Sequence, residues 1–415
     1  MNLNNITCGL DFGTSNSVIT LTDKESGKEI FTYNDKSILY FPRTNEFVYY
    51  VGKEAQNKYV EEQMQGRLLK SVKTLLNQER FLFTWICGKK VTPEQLCMFI
   101  IRHLKEKAEA FLGTEINSVV LGRPAIFSED PKREQLAVKR LTQAAHDAGF
   151  KQVVLQMEPI AAAFHYEATI ADEENVLVAD FGGGTSDFTI MKLSAEKRLN
   201  KDRHNDILAY DGAYIGGDTL DFEILWDKIT PHLGRGVTYK SYNKDLLLPI
   251  SIYHELKNWE RAFMLKESKM RRSLNNYYID SGNNPLINNL RVLIDKNYTY
   301  SLFRCIEQSK MNLSKEDITS ILFEKEDLKI EDAMSLSEFG QIIEKETKEV
   351  EQRIVALMDR VNMTADDIHT VFITGGTSYA IPIRNVLNKI FDSSKICYGD
   401  AFTSVAHGLS LSTMY

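Results

Sequence analysis

The chain has 415 residues, 43% of them hydrophobic and 26% charged, more than a single core usually supports, so two domains are expected. Its net charge of −7 leaves no basic footprint for nucleic acid, and no run approaches the ~18 continuous apolar residues of a membrane span. The polar start Met1-Asn2-Leu3-Asn4-Asn5 lacks a secretory signal. The cysteines (Cys8, Cys87, Cys97, Cys305, Cys397) contain no Cys-x-x-Cys pair, which points to reduced thiols in a cytoplasm rather than to disulfides or zinc.

In chain order, Ile6-Thr7-Cys8-Gly9-Leu10 leads into Asp11-Phe12-Gly13-Thr14-Ser15, and Val18-Ile19-Thr20-Leu21 leads out, the pattern of a β-hairpin with a polar tip. Residues 38–60 read as extended and aromatic-rich, whereas 61–76 and 92–111 carry helical periodicity, with Thr92 and Pro93 as N-cap and first-turn residues. Residues 117–122 form a short buried strand ending at Arg123-Pro124. Asp130-Pro131 opens a helix that runs to Ala148 and stops at Gly149. Val153-Val154-Leu155 reads as a core strand delivering Glu158-Pro159 to a helix through Ala161, Ala162 and Ala163.

After an acidic crossing at residues 171–174, a second hairpin repeats the first: Asn175-Val176-Leu177-Val178-Ala179, then Asp180-Phe181-Gly182-Gly183-Gly184-Thr185-Ser186, then Phe188-Thr189-Ile190-Met191. Residues 226–304 read as mostly helical, interrupted by an Asn-rich loop (Asn275, Asn276, Asn283, Asn284, Asn288, Asn289), with 266–272 a solvated basic face. Residues 335–361 read as one long amphipathic helix. Val371-Phe372-Ile373-Thr374 then runs into Gly375-Gly376-Thr377-Ser378, followed by Pro382 and an amphipathic stretch: strand, tight turn, helix. Strands alternating with helices argue for α/β layers.

The duplicated tip carries the chemistry. Glycine permits close backbone approach to a ligand, successive N–H groups in a turn make an anion-binding concavity, and phosphate is the natural guest. An aspartate beside phosphate calls for a mediating cation, usually hydrated Mg²⁺. Other nucleotide and hydrolase devices are missing: there is no Gly-x-x-x-x-Gly-Lys-Ser/Thr and no kinase-type His-Arg-Asp. Gly13-Thr14-Ser15-Asn16-Ser17 and Gly184-Thr185-Ser186-Asp187-Phe188 lack the closing glycine of a nucleophile elbow, and His254-Glu255 has no second zinc histidine.

These motifs resemble the nucleotide-binding domain of the Hsp70 branch of the actin-like ATPases, and Gly122-Arg123-Pro124 is most similar to the stand-alone YegD-type members. The resemblance implies an α/β, two-lobed actin-like ATPase fold of duplicated ribonuclease H-like domains. Lobe I would span 1–172 (core 1–38 and 115–172, small subdomain 39–114), and lobe II 173–415 (core 173–215 and 315–415, small subdomain 216–314).

It further implies ATP/ADP and Mg²⁺ as cofactors, with K⁺ as an optional second cation. Asp11 and Asp180 would hold the metal; Gly13, Thr14, Ser15 and Asn16 would face Gly182, Gly183, Gly184 and Thr185 across the phosphates, with Thr14, Ser15 and Thr185 hydrogen-bonding phosphate oxygens; Glu158 and Asp187 would serve the attacking water, and Lys73 the transferred phosphoryl group. Gly216, Gly217 and Asp218 resemble the entry to the smaller part of lobe II. Glu307, Lys310 and Ser314 resemble an adenosine helix, and Gly375, Gly376 and Thr377 the second adenosine element. The family's two adenine-stacking arginines are replaced by Met311 and by Tyr379 or Ala380, side chains that can still wall a base.

The seven residues after Gly408 are too few for a β-sandwich peptide clamp, so no built-in peptide-binding domain is expected, and a protein partner would meet the lobes themselves. The expected function is a slow Mg²⁺-dependent ATPase used as a switch. An actin-like scaffold or pseudo-ATPase is the alternative, and a small-molecule kinase a third.

Overall fold

The computed structural model describes residues 5–167, 169–196, 204–242, 244–257, 265, 267–400 and 403–412; the start Met1-Asn2-Leu3-Asn4 and Lys266 of the basic stretch lie outside these. The chain divides into two compact units. One comprises Met1–Gly217, Lys348–Ser378 and Ile383–Tyr415; the other comprises Asp218–Thr347 with Tyr379–Pro382. The boundary at 172/173 falls within the first unit, between the helix Glu158–Glu167 and the strand Glu174–Phe181.

The first unit holds two five-stranded sheets built to one plan. In the first, Ile6–Phe12, Asn16–Asp23 and Glu29–Lys36 run as an antiparallel meander, and Ser118–Arg123 and then Gln152–Met157 add in parallel beside Ile6–Phe12. In the second, Glu174–Phe181, Ser186–Leu193 and Ile207–Ala213 form the meander, with Thr370–Thr374 and then Ile396–Tyr398 parallel to Glu174–Phe181. The helices repeat as well. Pro131–Asp147 joins the two parallel strands of the first sheet and Ile381–Ile390 those of the second; Glu158–Glu167 follows the first set and Ser404–Leu411 the second.

These two closing helices pack on each other, Ser404–Leu411 also on the first hairpin and Glu158–Glu167 on the second. A Cβ at Gly408 would stand 1.7 Å from the Ala161 carbonyl oxygen, and one at Gly9 would stand 2.3 Å from that of Ala406. The small residues along both helices are therefore what their spacing demands. Ala161, Ala162, Ala163, Ala406 and Leu409 are fully buried there.

Local chemistry sets the helix ends. Thr92 and Gln95 make a reciprocal capping box around Pro93–Leu112, Gly113 closes it at φ 72°, and the Asp130 carboxylate accepts the N–H groups of Lys132 and Arg133 to start Pro131–Asp147. In the second unit, helices Ser268–Asp280, Pro285–Asp295 and Thr299–Asn312 precede the hairpin Ile318–Lys325/Leu328–Ser335, whose buried Thr319, Ile321 and Phe323 alternate with exposed neighbours. Among the described residues no helix is long and apolar enough to cross a membrane.

Several expectations are corrected. Residues 52–60 are helical (Gly52–Glu61), with Ala55 and Tyr59 buried one turn apart. The predicted helix over 61–76 is instead a strand, Arg67–Lys70, paired with Ile38–Phe41, and a short turn; cross-strand pairing overrides the local periodicity. Gln152–Met157 is a sheet edge rather than a core strand, and Val154 is 58% exposed. Asn275 and Asn276 lie in one helix and Asn288 and Asn289 in the next, leaving only Asn283 and Asn284 between them. The long helix over 335–361 is two, Leu336–Ile342 and Glu344–Arg360, broken where Ile343 turns into the core.

Candidate functional site

The two hairpin tips of the first unit lie against one another. A Cβ at Gly183 would meet Ser15 Oγ at 2.2 Å, and one at Gly184 would meet Thr14 Oγ1 at 2.9 Å, so only glycine lets the second tip come this close to the first. Gly13 is constrained within its own turn, where a Cβ would stand 2.1 Å from the Asn16 carbonyl oxygen.

The second tip is braced from behind. Gly182 N–H donates to the Thr185 carbonyl (2.9 Å), while the Gly182 carbonyl accepts from Gly217 N–H (3.1 Å) and Thr377 Oγ1 (2.7 Å). Gly216 packs on the Gly183 backbone, and Gly375, at φ +84°, lies against Phe181 and Asp180. No acceptor among the described residues takes the N–H groups of Thr14, Ser15, Gly183 or Gly184. Such a set of outward N–H groups is an anion nest.

Asp11, Gly13–Asn16, Lys73, Glu158, Asp180, Gly182–Thr185, Gly375 and Gly376 together line one concavity that opens to solvent. Val18 and Val405 complete the lining. Asp187 stands at the base of the second tip, paired across its hairpin with Asp180; its carboxylate accepts from Thr185 Oγ1 and from the Ala125 N–H, each at 2.9 Å. Lys73 Nζ is 2.6 Å from Glu158 Oε1, and both are buried. Gly122 makes room for that carboxylate, since a Cβ there would lie 3.1 Å from Glu158 Cγ.

Burial and the neighbouring Glu158 push Asp11 up to about 7, with Lys73 pulling only partly the other way. Asp180 is raised well above the carboxylate range by burial and then by Glu158, Asp11 and Asp187. Asp187 is likewise pushed up to about 7 by burial and Glu158, against the hydrogen bonds it accepts. Burial opposes the charge on Lys73, but Glu158, Asp11 and Asp187 outweigh it and its pKa is raised. The site thus has one buried cation among four carboxylates. That imbalance suits a further cation, and the oxygen donors suit a hard one. Among the described residues no three His, Cys, Asp or Glu side chains converge on one ion position. Asp11 and Asp180, which line the concavity, offer the carboxylate oxygens that Mg²⁺ takes alongside phosphate oxygens and water.

The remaining candidates belong to the second unit. Glu307, Lys310 and Met311 lie on the helix Thr299–Asn312, with Ser314 just past its end and Asp218 on Gly217–Ile224. Lys310 Nζ pairs with Asp221 at 2.8 Å and Arg304 with Glu307 at 3.3 Å, while Met311 and Tyr379 are exposed by about half. Sequence reasoning missed the Ala125 N–H, Val18 and Val405. A backbone donor carries no residue-type signal, and the two valines carry no polar group to single them out.

Residues 44–199 match the family model described as Hsp70 protein. The chaperone protein DnaK of Thermosipho africanus (strain TCF52B) is 33% identical over 224 residues, covering 52% of this chain and 34% of that protein. Chaperone protein DnaK of Thermotoga maritima is 31% identical over 224 residues with the same coverage, and that of Endomicrobium trichonymphae is 36% identical over 140 residues, 33% of this chain and 21% of the relative. The chain spans about a third of the length of the curated relatives it first matches. With the twice-built sheet and its paired tips, the similarity defines the fold class: α/β, of the Hsp70 and actin-like ATPase type.

Proposed function

We propose that this chain binds ATP with Mg²⁺ at the paired tips and hydrolyses it slowly, as an Hsp70-like nucleotide switch toward a protein partner. The observation that carries the reading is the pair of opposed glycine tips whose N–H groups at Thr14, Ser15, Gly183 and Gly184 find no acceptor among the described residues. The similarity to DnaK chaperones supports the choice of ATP; Gly122-Arg123-Pro124 alone supports the YegD-type subfamily.

In this reading the tips grip the phosphates from both sides, with Thr14, Ser15 and Thr185 hydroxyls adding to the backbone donors. Asp11 and Asp180 would hold Mg²⁺, which when bound neutralises phosphate charge and orients the oxygens in line. Lys73, fixed by Glu158, offsets charge on the transferred phosphoryl group. Asp187, pushed up to about 7 and aimed by Thr185 and the Ala125 N–H, is matched to accept a proton from the attacking water near neutrality.

Phosphate release from ATP, measured with and without Mg²⁺ for the wild type, Asp11→Ala and Asp180→Ala, tests the proposal. Metal-dependent turnover is expected in the wild type and should be lost in both variants; equal turnover in all three would refute it.

A further inference from the structure

Ser37 is fully buried between the strands Glu29–Lys36 and Ile38–Phe41, and it holds the first tip from behind. Its N–H donates to the Ser15 carbonyl (2.9 Å) and its hydroxyl to the Gly13 carbonyl (2.7 Å). The equally buried Ser17 Oγ lies 2.7 Å from Ser37 Oγ. Ser17 Oγ also lies 3.5 Å from the Gly13 carbonyl, a longer contact than the 2.7 Å from Ser37; with the Ser37 proton given to Gly13, the proton in the short contact between the hydroxyls comes from Ser17, so the chain of donation runs Ser17, Ser37, Gly13.

Across a planar trans peptide the C=O and the following N–H point in opposite directions. Fixing the Gly13 carbonyl onto Ser37 therefore turns the Thr14 N–H the other way, and Thr14 lines the concavity. The next residue, Ile38, pairs with Lys70, shortly before Lys73. One serine thus connects the tip to the strand pair that leads to the buried lysine. We infer that Ser37, backed by Ser17, is a positioning residue that aims the first tip's amide at phosphate and keeps it in register with Lys73. The inference rests on the reading of the concavity as a polyphosphate site.

The test compares wild type, Ser37→Ala, Ser37→Thr and Ser17→Ala as full chains. Affinities for Mg²⁺-ATP and for adenosine, which has no phosphate, are measured by calorimetry, and kcat and KM by phosphate release. Ser37→Ala is expected to lose about ten-fold in ATP affinity relative to adenosine, the scale of one buried hydrogen bond, with kcat falling too. Ser37→Thr should restore most of the loss, and Ser17→Ala should show a smaller loss in the same direction. Loss of ATP and adenosine affinity in equal proportion, or an unchanged ratio in Ser17→Ala should Ser37→Ala fail to fold, overturns the positioning role. Wild-type binding and turnover matched by Ser37→Ala overturns this inference alone, whereas a wild type that takes up no nucleotide removes the phosphate reading and this inference with it.

Discussion

Asp11 carries the conflict between folding and binding in a single side chain. Its folded pKa of about 7 lies above the roughly 3.9 of an unfolded aspartate. A carboxyl raised in this way contributes stability that is fully present below about pH 4 and lost as pH rises through about 7, because the unfolded chain releases its proton first. Asp187 behaves in the same sense. Asp11→Asn removes the buried charge, so the ligand-free variant is expected to unfold at a higher temperature than the wild type at pH 8, with the gap closing toward pH 5, while its Mg²⁺-dependent nucleotide binding weakens. Thermal unfolding across that pH range checks the sign; a variant no more stable at pH 8 would contradict it. Such a gain would mark Asp11 as a residue kept for its ligand at the expense of the apo fold.

At the scale of elements, the contact between Glu158–Glu167 and Ser404–Leu411 links the helix that starts with Glu158 to the last helix of the second repeat. Its closeness depends on Gly408, whose replacement by alanine would drive a methyl group into the Ala161 backbone. A backbone obstacle cannot rotate away as a side chain can, so Gly408→Ala is expected to cost at least the roughly 1–3 kcal/mol of overpacking. Equilibrium urea unfolding measures this, and a variant within about 0.5 kcal/mol of wild type would show that the helices separate easily. Helix propensity alone predicts the opposite sign, since alanine is favoured over glycine within a helix.

For the molecule as a whole, the division into two units matters to how stability responds to ligand. Every residue lining the concavity belongs to the first unit. Calorimetric unfolding with Mg²⁺ and inorganic triphosphate is therefore expected to raise the first unit's transition, by about 2.7 kcal/mol at a hundredfold excess over Kd, and to leave the second unit's in place. A single transition moving as one would mean that the chain unfolds as one cooperative body.

The hairpins, their polar tips and the capped helices 93–112 and 131–147 were legible from the sequence alone because each depends on neighbours a few residues away: short β-rich apolar runs, glycine at a turn, a hydroxyl or carboxylate before a helix. Asp11 and Asp180 stood out because the same short pattern occurs twice. Tertiary structure alone decided what lies far apart in the chain. It set the pairing of 67–70 with 38–41 against a helical periodicity, the approach of Gly183 to Ser15, the seating of Gly408 on Ala161, and the buried Lys73–Glu158 pair among three aspartates. Local preference is worth a few tenths of a kcal/mol per residue, whereas the ionisation of a buried carboxylate depends on charges that only the closed fold brings within a few ångströms.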